Sequence, residues 1–580
     1  VMVVDSGIAR DGETYHPDLQ GDRILDQWDY QADEPDDDAT DDYVLGNGHG
    51  THVAGTIGGR YNAADPNSDQ SQQGVAPDAS FLIYRLFGPD NSFSDVWFGE
   101  ALGRATSGGR TAHVSNNSWG GSTSSAYPSY TEMADLAVRG GYNGQPVNMV
   151  TISHNQNKLT TAPGTGKNVI TVGAVKDGNS PAGTLVWNSS CGDIDYNWPP
   201  GERVCYSNYG PIDTDGDLHT RVKPDLMAPG AMISSAVPWY PPFASNYYLS
   251  LHGTSHAAPH VTGVIAQLLE AYSVEGPWLF EWPEMVKAML LASAVDVGGD
   301  TNYYGHGLTD AYHGIYAQAG IDEPMDLWGN SVSTSGDIRD FTVDVPAGYA
   351  EVRVVLTWAD PVSSTEVIND LDVFWVKDGG GSQRGSAISL DDTVEYVRIP
   401  PGFAPGTWTI RVRATSIADS PQAFALAAHV ILADATLSIR AAPSSAPGAV
   451  PSFSMGGQFY LHQYVSNSGY TAGGSYARLH VPAGFTVTGV TVYTQDDYKH
   501  WYDASELYHD PAEDDYYYVA LGETLAGFER HVRWFIDIDE STECGSYPFE
   551  STAYWLEGGD EQASSTTSTP VPVACHFVYL

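Results

Sequence analysis

Ser255 lies in the segment His252-Gly253-Thr254-Ser255-His256-Ala257-Ala258-Pro259-His260-Val261-Thr262-Gly263, a turn of small residues that runs into apolar Val264, Ile265, Leu268 and Leu269. This spacing predicts a helix whose first turn carries the serine hydroxyl among backbone N–H groups that no helical carbonyl satisfies. A hydroxyl so placed has donors for an oxyanion at hand, but it needs a base to become a nucleophile. His49, between two glycines in Gly48-His49-Gly50-Thr51-His52-Val53-Ala54-Gly55, is the first choice for that base, because the glycines keep bulk away from the imidazole. Asp5 follows the apolar run Val1-Met2-Val3-Val4. That run reads as a buried parallel strand with a carboxylate at its carboxyl end, where it can orient an imidazole. Taken singly, each residue has a structural alternative: an N-cap, a satisfied core histidine, a turn starter.

The elements that must position these groups also have a pattern. Strand-like apolar runs near Val1, Phe81, Val147 and Val169 alternate with helical stretches such as Val96 to Thr106. The three motifs, Asp5-Ser6-Gly7, Gly-His-Gly-Thr-His-Val-Ala-Gly and Gly-Thr-Ser-x-Ala-x-Pro-His-Val, stand in the order Asp, His, Ser and resemble the subtilisin-like serine proteases, or subtilases. The resemblance covers about residues 1 to 320. It extends to Gly74-Val75-Ala76-Pro77, Asn117-Ser118-Trp119-Gly120, Ser207-Asn208-Tyr209-Gly210 and Lys223-Pro224-Asp225-Leu226-Met227-Ala228-Pro229-Gly230. It implies an α/β, doubly wound, mainly parallel sheet, with which the alternation of runs agrees.

Carried over motif by motif, the resemblance implies Ser255 as nucleophile, His49 as general base and then acid, and Asp5 as the carboxylate that orients it. Asn155, in Val150-Thr151-Ile152-Ser153-His154-Asn155-Gln156-Asn157, takes the position whose amide completes the oxyanion hole; Asn157 is the alternative donor if the loop is rebuilt. The family usually has glycine where this chain has His154, in the wall of the pocket for the residue before the cleaved bond. If that glycine serves a positive φ, histidine there is strained by about 1–3 kcal/mol. His256 stands where many relatives carry an oxidisable methionine. Ser118, Trp119 and Gly120 match an edge to which an extended peptide adds as a strand, with Trp119 either lining the primary pocket or facing the core.

Composition sets the surroundings. Lys and Arg number 26 against 72 Asp and Glu, a net charge of −46, which excludes a general nucleic-acid role. Eight of the acids fall between Asp29 and Asp42 with no base among them, read first as a solvated loop and second as a calcium site. Four cysteines fall as two neighbouring pairs, for which Cys191 with Cys205 and Cys544 with Cys575 is the most economical pairing; free thiols are the alternative. Disulfides and a broad protease both suit a secreted protein. No apolar run reaches the length of a membrane span. The chain opens directly on the Asp5 strand, so a signal peptide and a removed inhibitory propeptide are expected upstream.

Past Tyr304-Gly305-His306-Gly307-Leu308, helical patterning stops near Gly320 and short strands take over. The expected domains are therefore 1–320, a subtilisin-like catalytic domain; 326–434, a β-sandwich of jelly-roll type; and 435–580, an immunoglobulin-like β-sandwich. The stretch Val354 to Asp360 with Asn369-Asp370-Leu371-Asp372 resembles the β-domain of alkaline, oxidant-stable subtilases, whose domains bind calcium. Asp370 and Asp372 are thus metal candidates, as are Asp213, Asp215 and Asp217 in Asp213-Thr214-Asp215-Gly216-Asp217, which has the alternating oxygens of a calcium loop but no distal glutamate. The Tyr-rich loop at Asp514 to Tyr518 either binds a surface or packs a sheet. The motifs together point to a monomeric, secreted endopeptidase acting on protein or peptide substrates with structural calcium. A narrow processing protease or peptide ligase would use the same residues, and a dead binding scaffold would need a broken triad.

Overall fold

The computed structural model describes residues 1–580 except 21–22, 32–35, 44–45, 89–91, 177–184, 189–191, 196–200, 214–219, 242, 244–245, 274–276, 317–324, 346–348, 363–365, 378–382, 388, 390–391, 402, 433–436, 445–452, 455–457, 468–471, 484, 494–498, 504–507, 510–515, 525–528, 539–544, 558–559, 564–566 and 575–580. Seven strands form the central sheet: β1 (Met2–Asp5), β2 (Ile24–Asp29), β3 (Phe81–Arg85), β4 (Val114–Asn117), β5 (Asn148–Ile152), β6 (Ile170–Lys176) and β7 (Leu226–Ala231). Their order is β7-β6-β5-β4-β1-β3-β2, and every pairing is parallel. From β1 the chain runs to the edge strand β2, returns to β3 beside β1 and then crosses to build outward on the other side, so the switch point of the sheet falls at β1 and its carboxyl end, Asp5.

Near-continuous apolar strands follow from burial on both faces. Met2 and Val4 enter one core with Phe98, Ala101 and Leu102 of α2 (Asp95–Ala105) and Ala134 and Ala137 of α3 (Ser129–Val138). Val3 turns to the other face, onto Val53, Ala54 and Ile57 of α1 (His49–Gly58). There Val150, Ile152 and Val172 also meet Ala257, Ala258, Val261 and Ile265 of α4 (Thr254–Ser273) and Met285 to Ala292 of α5 (Pro283–Ser293). Stacking α1 and α4 on one face at the switch point brings their amino-terminal turns toward Asp5.

The acidic run from Asp29 to Asp42 is more structural than its charge suggested. Asp29 and Asp42 both hold the Arg85 guanidinium, at 2.6 Å each, and buried Asp41 accepts from the Thr51 N–H at 3.0 Å and the Thr51 hydroxyl at 2.7 Å. Asp41 therefore anchors the first turn of α1, whose N-terminal N–H groups would otherwise be orphaned. Burial outweighs these bonds and pushes its carboxyl up to about 6. Among the described residues of the run, Asp36, Asp37 and Asp38 are exposed.

The chain divides into two compact units: Val1–Val343 with Arg353–Arg398 and Thr407–His429, and Asp344–Val352 with Ile399–Gly406 and Val430–Leu580. Much of the strand-rich segment past residue 320 lies within the first unit. A reason is visible at Lys167, whose ammonium is 2.7 Å from Asp360 with both side chains at 0% exposure. The Asn168 side chain donates to the Asp360 carbonyl and accepts from its N–H, at 2.9 and 2.8 Å, and Arg353 donates to the Ala294 carbonyl. In the second unit, Leu461, Val490, Val532 and Trp534 of a five-stranded sheet share a core with Ala477, Leu479, Val519 and Phe549 of a second sheet.

Removing one partner of a buried ion pair leaves the other charge uncompensated, at a cost of about 3–5 kcal/mol. Asp360→Ala is expected to lower the melting temperature measured by calorimetry far more than Asp340→Ala, whose pair with Arg411 is exposed. Equal shifts would refute the assigned role of Asp360.

Candidate active site

Asp5 is 3% exposed and is fixed by two contacts: the Ser6 N–H donates to Oδ1 at 2.8 Å, and His49 Nδ1 lies 2.7 Å from the same oxygen. The imidazole can approach so closely because two glycines permit it. Gly48 has φ +72°, and a Cβ on Gly50 would lie 2.4 Å from the Gly7 carbonyl oxygen. Ser6 secures the same junction, its hydroxyl accepting from the Gly50 N–H at 2.8 Å. Burial disfavours a charged His49, but the Asp5 carboxylate and its hydrogen bond outweigh it and raise the imidazole's pKa. Asp5 thereby fixes Nδ1 as the N–H and leaves Nε2 as the basic nitrogen.

Ser255 sits in the first turn of α4 at 9% exposure. Its hydroxyl donates to the Ser118 carbonyl at 3.1 Å, while the Ser118 hydroxyl donates to the Ser255 carbonyl at 2.8 Å. The second bond has a sequence cause. Pro259 lies within α4 four residues after Ser255 and has no N–H to give the Ser255 carbonyl, so Ser118 supplies the donor. A polar chain continues from there: Asn116 donates to the Ser118 hydroxyl at 2.9 Å and accepts from Thr262 of α4 at 2.9 Å. The carboxyl end of β4 is thus pinned to the serine. The imidazole edge of α1 is adjacent, since the His49 and His256 ring centroids are 5.5 Å apart.

Asn155 completes the arrangement. Its Oδ1 accepts from the Thr254 N–H at 2.8 Å and the Thr254 hydroxyl at 2.9 Å, which fixes which end of the amide faces which way. Its Nδ2 lies 3.3 Å from the point a Cβ would occupy on Gly253, two residues before the serine. Asn157, the alternative donor, turns its side-chain oxygen to Arg203, from which it accepts at 3.2 Å. His154 has φ +90°, the left-handed backbone expected of glycine at this position. The Asn155 N–H donates to its Nδ1 at 2.8 Å, and burial first, with the Lys158 charge second, lowers its pKa.

Trp119 belongs to the core. It is 9% exposed and packs among Phe93, Phe98 and Tyr130, with ring centroids 4.8, 5.1 and 5.7 Å away. Gly120 faces the His154 ring and the Ala162 carbonyl, 3.2 and 2.9 Å from where its Cβ would be. His256 is buried beside His52, at 4.4 Å between ring centroids, and burial holds its pKa well below the ordinary value. The roles of Thr254, Asn116 and Asp41 are not marked locally in the sequence, because the partner of each lies in another element.

Of the metal candidates, Asp215 and Asp217 fall outside the described residues, and Asp213 adjoins the Ile212–Arg221 bridge. Asp372 is fully buried, its Oδ2 bound by Arg413 at 2.6 Å and by Thr415. Oδ1 of Asp370 and Oδ1 of Asp372 are buried without hydrogen-bond partners. Among the described residues, no group of three or more His, Cys, Asp or Glu side chains is arranged to hold a metal ion. Cys205 is the one described cysteine and is disulfide-bonded; the expected Cys544–Cys575 pair and Cys191 lie outside the described residues.

The subtilase family model matches residues 1–307, more than half of the chain, and the chain belongs to that family of serine proteases. It is 27% identical over 315 residues to thermitase of Thermoactinomyces vulgaris, covering 54% of this chain and 88% of that protein. M-protease of Shouchella clausii is 30% identical over 317 residues, 54% of this chain and 62% of its own length. Among solved structures, a protease of Pseudoalteromonas arctica aligns with a TM-score of 0.39 at 23% identity, covering 55% of this chain and 88% of that one. Among the described residues, no helix is long and apolar enough to cross a membrane.

Truncating a buried aromatic costs about 3–5 kcal/mol. Trp119→Ala is expected to lose that much in urea denaturation. A loss below about 1 kcal/mol would return Trp119 to the list of pocket residues.

Proposed function

We propose that the chain is a secreted serine endopeptidase that hydrolyses peptide bonds in flexible or unfolded protein, with Ser255 as nucleophile, His49 as general base and acid, Asp5 as orienting carboxylate and Asn155 as oxyanion donor. The observation that carries this reading is the 2.7 Å bond from buried Asp5 to His49, beside the helix turn that presents Ser255. As Ser255 Oγ forms a bond to the substrate carbonyl carbon, its proton leaves the Ser118 carbonyl for His49 Nε2. The carbonyl oxygen gains the negative charge and is met by the Ser255 N–H and the Asn155 amide. Collapse of the intermediate breaks the C–N bond, His49 returns the proton to the leaving amine, and water attacking by the same route releases the acyl group. Main-chain groups of Ser118–Gly120 are the edge along which an extended peptide lies.

Broad action on protein suits an edge that recognises main chain. Secretion is supported by the Cys205 disulfide, for which Cys191 is the proposed partner, and by the −46 net charge, which favours a saline or calcium-containing medium. The enzyme is taken to work as a monomer released from an inhibitory propeptide. The strand-rich regions are read as two β-sandwich domains, a reading supported by the core that two sheets share in the second unit.

Calcium is proposed as a structural ion at Asp370 and Asp372. The two buried carboxylate oxygens without partners fit it, as does Asp370, which burial and then the Asp372 charge push up to about 6. Arg413 already holds the other side of Asp372, so a cation there would use Oδ1.

Ser255→Ala should leave a folded protein with essentially no turnover of casein, and Asn155→Ala should lose about 10²–10³ in kcat with little change in substrate binding, by analogy with the subtilisin variants for which such losses are known. An Asn155→Ala enzyme with normal kcat would remove that residue from the mechanism. Because His49 must be neutral to accept the serine proton and Asp5 raises its pKa, kcat/KM should fall as pH drops through a midpoint above about 6.5. A midpoint below that value would contradict the pairing. Chelation should lower the melting temperature, and an unshifted transition would remove the metal.

A further inference from the structure

The strained residue beside Asn155 has a ring that reaches across the site. His154 holds φ +90°, a conformation that costs a non-glycine residue about 1–3 kcal/mol. The ring is fixed on one side and packed on the other: Nδ1 accepts from the Asn155 N–H at 2.8 Å, and the opposite edge faces Gly120. The ring carbon Cδ2 lies 3.2 Å from where a Gly120 Cβ would stand. The backbone behind the ring is held as well, since the His154 carbonyl accepts from the Asn208 N–H at 2.9 Å and the Asn208 side chain accepts from the Gln156 N–H at 2.8 Å. An imidazole so held cannot swing aside without giving up the Asn155 N–H bond.

The position of this ring relative to the chemistry decides its effect. A carbonyl attacked by Ser255 Oγ, with its oxygen toward Asn155, places the side chain of its own residue between the 118–120 edge, which touches Ser255 through Ser118, and the 154–155 turn. That is the space the His154 ring spans. We propose that His154 is a specificity-determining residue that fills this space, so that the residue contributing the scissile carbonyl is restricted to glycine, alanine or serine. The inference rests on the proposed role of Ser255 and Asn155.

The test uses two tetrapeptide chromogenic substrates that differ only in alanine or phenylalanine at the cleaved residue, together with a fluorophosphonate that labels an activated serine whatever the adjoining side chain. The wild-type protein should label at Ser255 and cleave the alanine peptide at least tenfold faster in kcat/KM than the phenylalanine peptide. His154→Gly suits φ +90° and removes the ring, so it should fold and shift that ratio toward phenylalanine by tenfold or more. Labelling with equal cleavage of the two peptides, or an unchanged ratio in His154→Gly, would overturn the role of His154 and leave the protease reading standing. Absence of labelling at Ser255 would overturn both.

Discussion

The bond between Asp5 and His49 is the interaction on which the remaining arrangement depends. A carboxylate at 3% exposure is costly unless it is hydrogen-bonded, and here the Ser6 N–H and the imidazole satisfy one oxygen. The fold places that carboxylate where a wholly parallel sheet reverses its strand order, and α1 and α4, stacked on one face of the sheet, begin near it. Gly48 and Gly50 let α1 come close, and Asp41 holds its first turn through Thr51. In each case a backbone or capping requirement is met by a residue far away in sequence, and that turns three separate motifs into one site.

A second constraint lies in α4. Proline within a helix ordinarily leaves a carbonyl without its donor. In this chain the orphaned carbonyl belongs to Ser255, and the Ser118 hydroxyl takes it, while Asn116 donates to that hydroxyl and is itself held by Thr262. The helix defect is therefore the point of attachment between the nucleophile and the edge that meets substrate. A structural irregularity and a functional distance are set by the same hydrogen bond.

Much of this was legible in the residues. The apolar run before Asp5, the glycines flanking His49 and the small-residue turn at Ser255 each reflect a local packing rule, and local rules can be read from a sequence. Strand alternation was similarly clear: the runs near Val1, Phe81, Val147 and Val169 are the strands Met2–Asp5, Phe81–Arg85, Asn148–Ile152 and Ile170–Lys176. Pairings across the fold were not legible. Trp119 matched a substrate edge by motif yet faces a core of Phe93, Phe98 and Tyr130, because the direction of a side chain is decided by neighbours from other elements. The tie between the strand-rich segment and the rest of the first unit was hidden for the same reason: Lys167 and Asp360 lie far apart in sequence and nothing local to either announces the other. The acidic run at Asp29 to Asp42 looked solvated by composition, while Arg85 and Thr51 recruit three of its members.

The central claim is that Asp5 acts on Ser255 through His49 alone. Its most direct test is the rate of covalent fluorophosphonate labelling of Ser255 in Asp5→Asn compared with the unaltered chain at neutral pH. An asparagine in that place favours the wrong imidazole tautomer, so labelling should slow by up to about 10⁴-fold while the melting temperature stays close to that of the unaltered protein. Labelling at an undiminished rate in a folded Asp5→Asn protein would contradict the account.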